Sequence, residues 1–223
     1  MSKTKLSKPF LMLFFLVSVG DIVAIYLENS FLQMICKSLI IPSLLAWYLT
    51  KSSGVNKLFV IALVFSFVGD VLLLDKVNYF IFGIGAFLIT QLIYVLIFSK
   101  GLGEASGKHK LVSILPFLLF FSVLISILKP NLNELLIPVS IYGFVISVFG
   151  MVSLLKYLNE KNGYNLLLLQ GAVLFIISDS MIALNKFFEE QSFYPVSIMI
   201  TYIAAQYLIT SHVLQNELMK DNV

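Results

Sequence analysis

The amino-acid sequence predicts an all-α protein, a polytopic transmembrane bundle of eight spans with both termini in the cytoplasm. The chain of 223 residues is 59% hydrophobic and only 12% charged, whereas soluble domains average about 25% charged residues. Its mean hydropathy is +0.97. Because so few polar residues could not cover a soluble fold, the composition excludes a soluble enzyme. The net charge of +3 is too small to indicate a nucleic-acid partner.

The spans are predicted from eight mostly apolar segments, each close to the roughly 20 residues that cross a bilayer as a helix. In chain order they cover residues 9–27, 31–50, 58–74, 79–98, 111–128, 135–155, 165–184 and 194–214. The loops between them are short. We therefore expect residues 1–223 to form a single eight-helix transmembrane domain, with its chemistry inside or at the edge of the bilayer.

The orientation follows from the lysines, because the chain contains no arginine. With a cytoplasmic N-terminus, the inside segments hold eleven lysines: Lys3, Lys5, Lys8, Lys51, Lys57, Lys100, Lys108, Lys110, Lys156, Lys161 and Lys220. The outside loops hold three, at Lys76, Lys129 and Lys186. Cytoplasmic loops carry the excess of basic residues, so this orientation is the predicted one, and an even number of spans agrees with it.

Four ionisable residues fall well inside the predicted spans, namely Asp21, Lys37, Asp70 and Asp179. The predicted orientation puts each of them near the outer end of its span, about four to seven residues from the boundary, or roughly 6–10 Å at 1.5 Å per residue. Charged groups in a bilayer are costly and usually functional. We therefore expect these four residues, the charged layer, to lie at one depth in the outer half of the membrane.

The charged layer has the composition of an acid/base site. Three carboxylates and one ammonium leave a formal excess of two negative charges, and like charges in a low-dielectric site disfavour each other's ionisation. We expect at least one aspartate to carry a proton, and a protonated carboxyl beside an ionised one is an acid/base pair. Asp70 and Asp179 are the candidates. The alternative is an ion pair with Lys37 that only stabilises packing, and it is strongest for Asp21.

Further polar side chains lie in spans four, seven and eight. They are Gln91, Tyr94, Ser178, Asn185, Tyr202 and Gln206. They are candidates for the lining of a substrate site, and ordinary hydrogen bonds between helices explain them equally well. We expect no metal site, because His109 and His212 stand far apart in the sequence without a His-Glu-x-x-His motif. We also expect no organic cofactor, since no P-loop or Rossmann fingerprint occurs.

In these residues the sequence resembles the YhhN family of membrane proteins, whose characterised members are lysoplasmalogenases. The resemblance covers spans two to eight. Its matching stretches are Lys37 with Pro42; 65–70 with Leu73; 85–87 with Tyr94; 138–143; 171–175 with 178–180, Ala183 and 185–187; and Tyr202 with 204–206. One position departs from the family pattern, because Gln91 stands where we expect a histidine. A glutamine forms hydrogen bonds but cannot shuttle a proton.

The resemblance implies a membrane-embedded hydrolase that cleaves the vinyl-ether bond of a lysoplasmalogen-type lysophospholipid to a fatty aldehyde and a glycerophospho-alcohol. Such a reaction needs a positioned acid for the enol-ether carbon. It also needs an ionised carboxylate that stabilises the cation and directs water, as in glycosidases. Asp70 and Asp179 would supply both groups without a cofactor. Lys37 would bind the phosphate or hold one aspartate ionised.

Three alternatives use the same residues differently. A proton- or cation-coupled transporter of a small or lipidic substrate would use the carboxylates as ion sites, although the inner half of the spans carries no Asp, Glu, Lys or Arg. A non-catalytic lipid-binding protein would use them for stability. An intramembrane aspartic protease would need a Gly-x-Gly-Asp run, and residues 67–70 read Phe-Val-Gly-Asp. For the compartment we expect a bacterial cytoplasmic membrane, from the compact all-lysine chain.

Overall fold

The computed structural model describes residues 3–100, 102–103 and 105–220, without the side chains of residues 3–6 and 218–220. Three lysines of the orientation argument, Lys3, Lys5 and Lys220, therefore have side chains outside the described part. The described residues form helices and no strand, which confirms the all-α class. The eight α-helices are α1 (Lys3–Tyr26), α2 (Ser30–Lys51), α3 (Lys57–Leu72), α4 (Phe80–Ser99), α5 (Gly107–Leu132), α6 (Leu136–Asn159), α7 (Gly163–Phe187) and α8 (Tyr194–Lys220).

Six stretches of the described chain are long and apolar enough to cross a membrane, where the sequence predicts eight. They are Ser7–Tyr26, Ser30–Lys51, Phe80–Ser99, Gly107–Asn159, Gly163–Phe187 and Tyr194–Glu217. The helix α3 has only 16 residues, about 24 Å at 1.5 Å per residue, which is less than the hydrocarbon core of about 30 Å. The helices α5 and α6 run on through a 3₁₀ turn at Asn133–Leu135. The class of integral membrane protein is confirmed, while eight spans and cytoplasmic termini stay predictions.

The helix ends are set by polar residues just before the apolar runs. Asn29, Asn56, Ser106 and Asn162 each stand at an N-cap, where the side-chain oxygen accepts a hydrogen bond from a backbone N–H two or three residues further on. An N-cap of this kind satisfies one of the four free N–H groups of the first turn. The cap at Ser106 explains why α5 begins at Gly107, four residues before the predicted apolar run.

The contacts within the chain divide it into two compact units. The first unit comprises the residues up to Ile93 together with those from Thr210 onward, and the second unit is Tyr94–Ile209. The boundaries fall inside α4 and α8. The first unit therefore holds α1, α2, α3, most of α4 and the end of α8, and the second unit holds the remaining helices.

In the first unit, α1 packs on α2 and α2 packs on α3. The helices α3 and α4 meet at glycines, because a Cβ added to Gly69 would lie 2.7 Å from the ring of Phe87, and one added to Gly83 would lie 2.7 Å from Leu73. Small residues let membrane helices approach closely. The hydroxyl of Thr90 also donates to the Ala62 carbonyl at 3.1 Å, so the pair α3–α4 is fixed by both packing and hydrogen bonding.

A second set of hydrogen bonds in the first unit joins the end of α2 to α8. The Tyr48 hydroxyl donates to Glu217 Oε1 at 2.5 Å and accepts from the Asn56 N–H at 2.8 Å. The Ser52 hydroxyl donates to Glu217 Oε2 at 2.7 Å. Both carboxylate oxygens of Glu217 are thus occupied, which makes this cluster a structural link.

In the second unit, α5 packs on α6, and α7 packs on both of them. The helices α7 and α8 approach closely at Gly171, where an added Cβ would lie 2.8 Å from Ile209 Cγ1 and 3.1 Å from the Ala205 carbonyl oxygen. The rings of Tyr94 and Phe149 pack with their centroids 5.5 Å apart. These contacts set the spacing of the helices that carry the polar residues of the second unit.

Substituting Gly171 by alanine tests this packing. The new Cβ would meet the backbone of α8, which cannot move aside as a flexible side chain can, so we expect a loss of stability of about 1–3 kcal/mol. A lower Tm in detergent is the measurement. The matched control is Gly85→Ala, since among the described residues nothing lies within 4 Å of that added Cβ, and its Tm should not fall. An unchanged Tm in Gly171→Ala would contradict the close approach.

Candidate active site

Two members of the charged layer, Asp21 and Lys37, come together between α1 and α2. Gly20 lets these helices approach, because an added Cβ would lie 2.7 Å from Cys36 Sγ. The Asp21 carboxylate is fully buried, and neither of its oxygens accepts a hydrogen bond from a described residue. Lys37 is 8% exposed and near enough to act on Asp21 electrostatically. The pair is thus linked by charge without a hydrogen bond.

Asp70 is buried in the last turn of α3, three residues before the C-cap residue Leu73. The Leu73 N–H closes this turn on the Gly69 carbonyl at 2.9 Å. The carboxyl end of a helix carries a partial negative charge, which disfavours an anion placed there. The helix end itself therefore does not stabilise a carboxylate at this position.

Gln91 is the first unit's other buried polar candidate. Its side chain is 0% exposed, and neither the amide nitrogen nor the amide oxygen forms a hydrogen bond with any described residue. Leaving a buried polar group unsatisfied costs about 1–3 kcal/mol. The neighbouring Thr90 is fully hydrogen-bonded, so the unsatisfied amide is specific to position 91. Such a group is available to a bound ligand.

In the second unit, Asp179 on α7 pairs with Tyr142 on α6. The Tyr142 hydroxyl donates a hydrogen bond to Asp179 Oδ2, and both residues are 8% exposed. Tyr142 was not among the candidates from the sequence. The signal that could have found it is its place as the one tyrosine of the predicted span 135–155, within the stretch 138–143 that resembles the family.

The hydroxyls of the serines on either side of Asp179 both donate hydrogen bonds to backbone carbonyl groups. The Ser178 hydroxyl donates to the Ile198 carbonyl of α8 at 3.0 Å, and the Ser180 hydroxyl donates to the Ile176 carbonyl at 2.6 Å. Ser178 thus joins α7 to α8. Its role in substrate binding stays a prediction, since the observed contact is a structural one.

The remaining candidates of the second unit form a buried chain of hydrogen bonds. The Tyr94 hydroxyl donates to Gln206 Oε1 at 3.0 Å, and Gln206 Nε2 donates to the Tyr202 hydroxyl at 3.3 Å. The ring of Tyr202 packs edge-on against Phe175 at 5.6 Å. Asn185 lies apart from this chain, where its Oδ1 accepts from the Gln191 N–H at 3.2 Å. The structure therefore groups three of the predicted lining residues and leaves Asn185 at the end of α7.

The described residues contain no group of three or more His, Cys, Asp or Glu side chains that could hold a metal ion. The candidate residues offer carboxyls, phenols, amides and the ammonium of Lys37. Asp70 offers a carboxyl at a helix end that disfavours negative charge. Asp179 offers a carboxyl that accepts a hydrogen bond from a phenol. These are different environments for two groups of the same kind.

Comparisons with known proteins connect these residues to a family. A family model described as the YhhN family matches residues 32–213, which include every candidate except Asp21. The rat lysoplasmalogenase TMEM86B is 30% identical over 185 residues, covering 83% of this chain and 73% of the rat protein. The human TMEM86B is 31% identical over 174 residues, covering 78% and 71%. The bovine lysoplasmalogenase TMEM86A is 34% identical over 171 residues, covering 74% and 68%. No solved structure matches the chain.

Substitution of the two buried glutamines by leucine should change the Tm in opposite directions. Gln91→Leu removes an amide without hydrogen bonds and should raise the Tm, since a buried unsatisfied group costs about 1–3 kcal/mol. Gln206→Leu removes an amide that is hydrogen-bonded at both atoms and should lower it. Thermal unfolding of the two variants in the same detergent measures the difference. A fall in Tm for Gln91→Leu would contradict the unsatisfied state of Gln91.

Proposed function

Because the chain belongs to the YhhN family, we propose that it hydrolyses the vinyl-ether bond of lysoplasmalogen-type lysophospholipids. The products are a fatty aldehyde and a glycerophospho-alcohol. The observation that carries this proposal is the similarity to three mammalian lysoplasmalogenases at 30–34% identity over 74–83% of the chain. The buried carboxyls on its membrane helices support it, because they are the kind of group that the reaction needs.

The reaction sets clear demands on the protein. A proton is added to the vinyl carbon that lies away from the ether oxygen, and the π electrons form the new C–H bond. The resulting oxocarbenium ion takes up water, whose proton goes to a base, and the product is a hemiacetal. The hemiacetal then collapses to the aldehyde and the alcohol. An acid and a base, each positioned by the protein, suffice for these steps. We assign them to the pair Asp70 and Asp179.

The environment of Lys37 supports the proposal that its ammonium binds the phosphate group. It is 8% exposed, and its ammonium makes no hydrogen bond with any described residue, while Asp21 is the opposite charge that acts on it. A buried ammonium with free donors suits a phosphate oxygen. The substrate would enter from the bilayer, with its hydrocarbon tail among the helices and its headgroup towards the surface. Its vinyl ether would then lie just below the headgroup, at the depth predicted for the charged layer.

The unsatisfied amide of Gln91 supports the proposal of a polar contact with the same substrate. Its amide can both donate and accept, and a lysophospholipid offers a free glycerol hydroxyl that can do the same. We expect Gln91→Leu to lower kcat/KM by about tenfold, the effect of one lost hydrogen bond, although the variant is more stable. An activity equal to that of the wild type would remove Gln91 from the substrate site.

The proposed topology has eight spans with both termini in the cytoplasm. The eight helices and the lysine distribution support it, since eight crossings return the chain to its starting side and basic residues accumulate inside. The charged layer then faces the outer half of a bacterial cytoplasmic membrane. Because α3 is shorter than the hydrocarbon core, it would cross the bilayer only where α2 and α4 shield it from the lipid.

The test is an assay of the purified protein with an sn-1 alkenyl lysophospholipid and its acyl counterpart, measuring free aldehyde and free fatty acid. We expect aldehyde from the alkenyl lipid only. Asp70→Asn and Asp179→Asn should each reduce its rate by at least about 100-fold, as is typical when an acid or base is removed. The matched control is Asp75→Asn, in the loop between α3 and α4.

Asp75 suits this purpose because its hydrogen bonds within the loop account for it without any role in the proposed site. The Asn78 side chain and backbone N–H donate hydrogen bonds to it and lower the pKa of its carboxyl. Its substitution should leave the aldehyde rate unchanged. Absence of product from either lipid, in a folded and monodisperse wild-type protein, would reject the proposal and favour a transporter. Full activity in either aspartate variant would reject the assignment of Asp70 and Asp179 as the acid/base pair. It would leave the proposed hydrolysis of the vinyl ether standing.

A further inference from the structure

We propose that Asp21 selects lysophospholipids with an ethanolamine headgroup, because its carboxylate binds the primary ammonium of the headgroup while Lys37 binds the phosphate. This inference rests on the proposed function, in which Lys37 already binds the substrate phosphate, and it names the headgroup. Both residues lie in the first unit, Asp21 on α1 and Lys37 on α2.

The first observation is that these two opposite charges do not bond to each other. Asp21 is 0% exposed and Lys37 is 8% exposed. Neither oxygen of Asp21 accepts a hydrogen bond from a described residue, the ammonium of Lys37 included, although Lys37 acts on the carboxylate through its charge. A buried charge is costly unless it is paired and hydrogen-bonded. The pair therefore has hydrogen-bonding capacity that the described residues do not use.

The charges of the pair define the class of ligand. An ammonium group on Asp21 and a phosphate on Lys37 would give each buried charge an opposite partner. A zwitterionic headgroup supplies both groups on one molecule and leaves the net charge of the site at zero. An anionic headgroup such as phosphoglycerol would pair with Lys37 alone, and Asp21 would stay a buried carboxylate without a partner, which is strongly unfavourable.

The second observation is the order of the two groups along the hairpin that α1 and α2 form. Asp21 lies five residues before the end of α1 at Tyr26, and Lys37 lies seven residues after the start of α2 at Ser30. At 1.5 Å per residue, their backbones are about 7.5 Å and about 10.5 Å from the helix ends. In a lysophospholipid the ammonium likewise lies farther from the hydrocarbon tail than the phosphate does. The pair thus matches a headgroup that points towards the hairpin end.

The third observation decides between ethanolamine and choline. The two helices are in close contact beside the pair, because a Cβ added to Gly20 would lie 2.7 Å from Cys36 Sγ, and each of these residues precedes one of the charges. A primary ammonium is compact and offers three N–H donors to the carboxylate oxygens of Asp21. A trimethylammonium group is larger, has no N–H and is bound on aromatic faces. The enclosed carboxylate therefore favours ethanolamine.

The position of Asp21 in the chain makes this selection separate from the family assignment. Asp21 lies outside residues 32–213, the part of the chain that the family model matches. Membership of the family therefore implies nothing about this carboxylate. The choice of headgroup is a property that α1 adds to the helices that follow it.

The test measures binding without turnover, using saturated sn-1 alkyl lysophospholipids that carry ethanolamine or choline on the same chain. They lack the vinyl ether, so the proposed reaction cannot consume them. We expect the wild type to bind the ethanolamine lipid about 10- to 100-fold more tightly, the effect of hydrogen bonding to a charged group. Asp21→Asn should weaken the ethanolamine lipid alone and bring the two Kd values within about twofold. Lys37→Gln should weaken both lipids equally.

The matched control is Glu28→Gln, which removes an exposed carboxylate from the turn between α1 and α2. It should keep the preference for ethanolamine, because an exposed charge interacts weakly with a ligand in water. The preference is a ratio of two Kd values in one protein, so a change in stability does not alter it.

Soluble phosphoethanolamine shows whether the ligand is a lipid. It carries the same ammonium and phosphate without the hydrocarbon chain, and the chain adds apolar contact. We expect phosphoethanolamine to bind more weakly than the ethanolamine lipid. Binding as tight as that of the lipid would make a soluble phosphate the ligand and overturn the assignment to a lipid headgroup.

The outcomes separate this inference from the proposed function. Equal binding of the two lipids by the wild type, or a preference that survives in Asp21→Asn, would overturn the role of Asp21 and leave vinyl-ether hydrolysis standing. Loss of the preference in Glu28→Gln would assign the selection to the exposed turn, which also overturns the inference. A wild type that shows the expected preference but forms no aldehyde from the alkenyl lipid would reject the hydrolysis and support the headgroup site.

Discussion

The cost of burying polar groups away from water is the constraint on which the rest of this structure depends. Within a bilayer every backbone N–H and C=O must find a partner inside the protein, so the chain folds as helices. The same cost applies to side chains, and most buried ones meet it. Tyr48 and Ser52 share the carboxylate of Glu217, and Tyr142 donates to Asp179. Hydrogen bonds of this kind fix helix positions that apolar packing alone would leave free to slide.

Against this background the unsatisfied groups are informative. Asp21 and Gln91 are fully buried, and among the described residues no hydrogen bond reaches their side-chain oxygen or nitrogen atoms. Two such groups reduce the stability of the fold by several times the thermal energy, about 1–3 kcal/mol each. Natural proteins accept such violations mainly at functional sites. Both lie in the first unit, which also contains Lys37 and Asp70, and this is the reason for placing headgroup recognition there.

The helices could be predicted from the sequence because apolar length is a strong signal, and every predicted span overlaps one of the eight helices. Their ends could not be, since caps such as Ser106 extend helices into polar sequence. Among the candidates, the opposite charges of Asp21 and Lys37 indicated their association, whereas the hydrogen bonds that join Tyr94, Tyr202 and Gln206 could not be predicted from the sequence. Tyr142 was missed because a tyrosine in a span is ordinary in sequence. Only the position of its hydroxyl on Asp179 makes it unusual.

Gln91 also bears on how protons move. A glutamine cannot accept or release a proton in the physiological range, so position 91 offers no third titratable group where the family resemblance suggests a histidine. The proposed reaction does not require one, because the proton added to the vinyl carbon is matched by the proton that the attacking water releases. Two carboxyls are enough for these steps when one begins protonated and the other ionised, which is the arrangement proposed for Asp70 and Asp179.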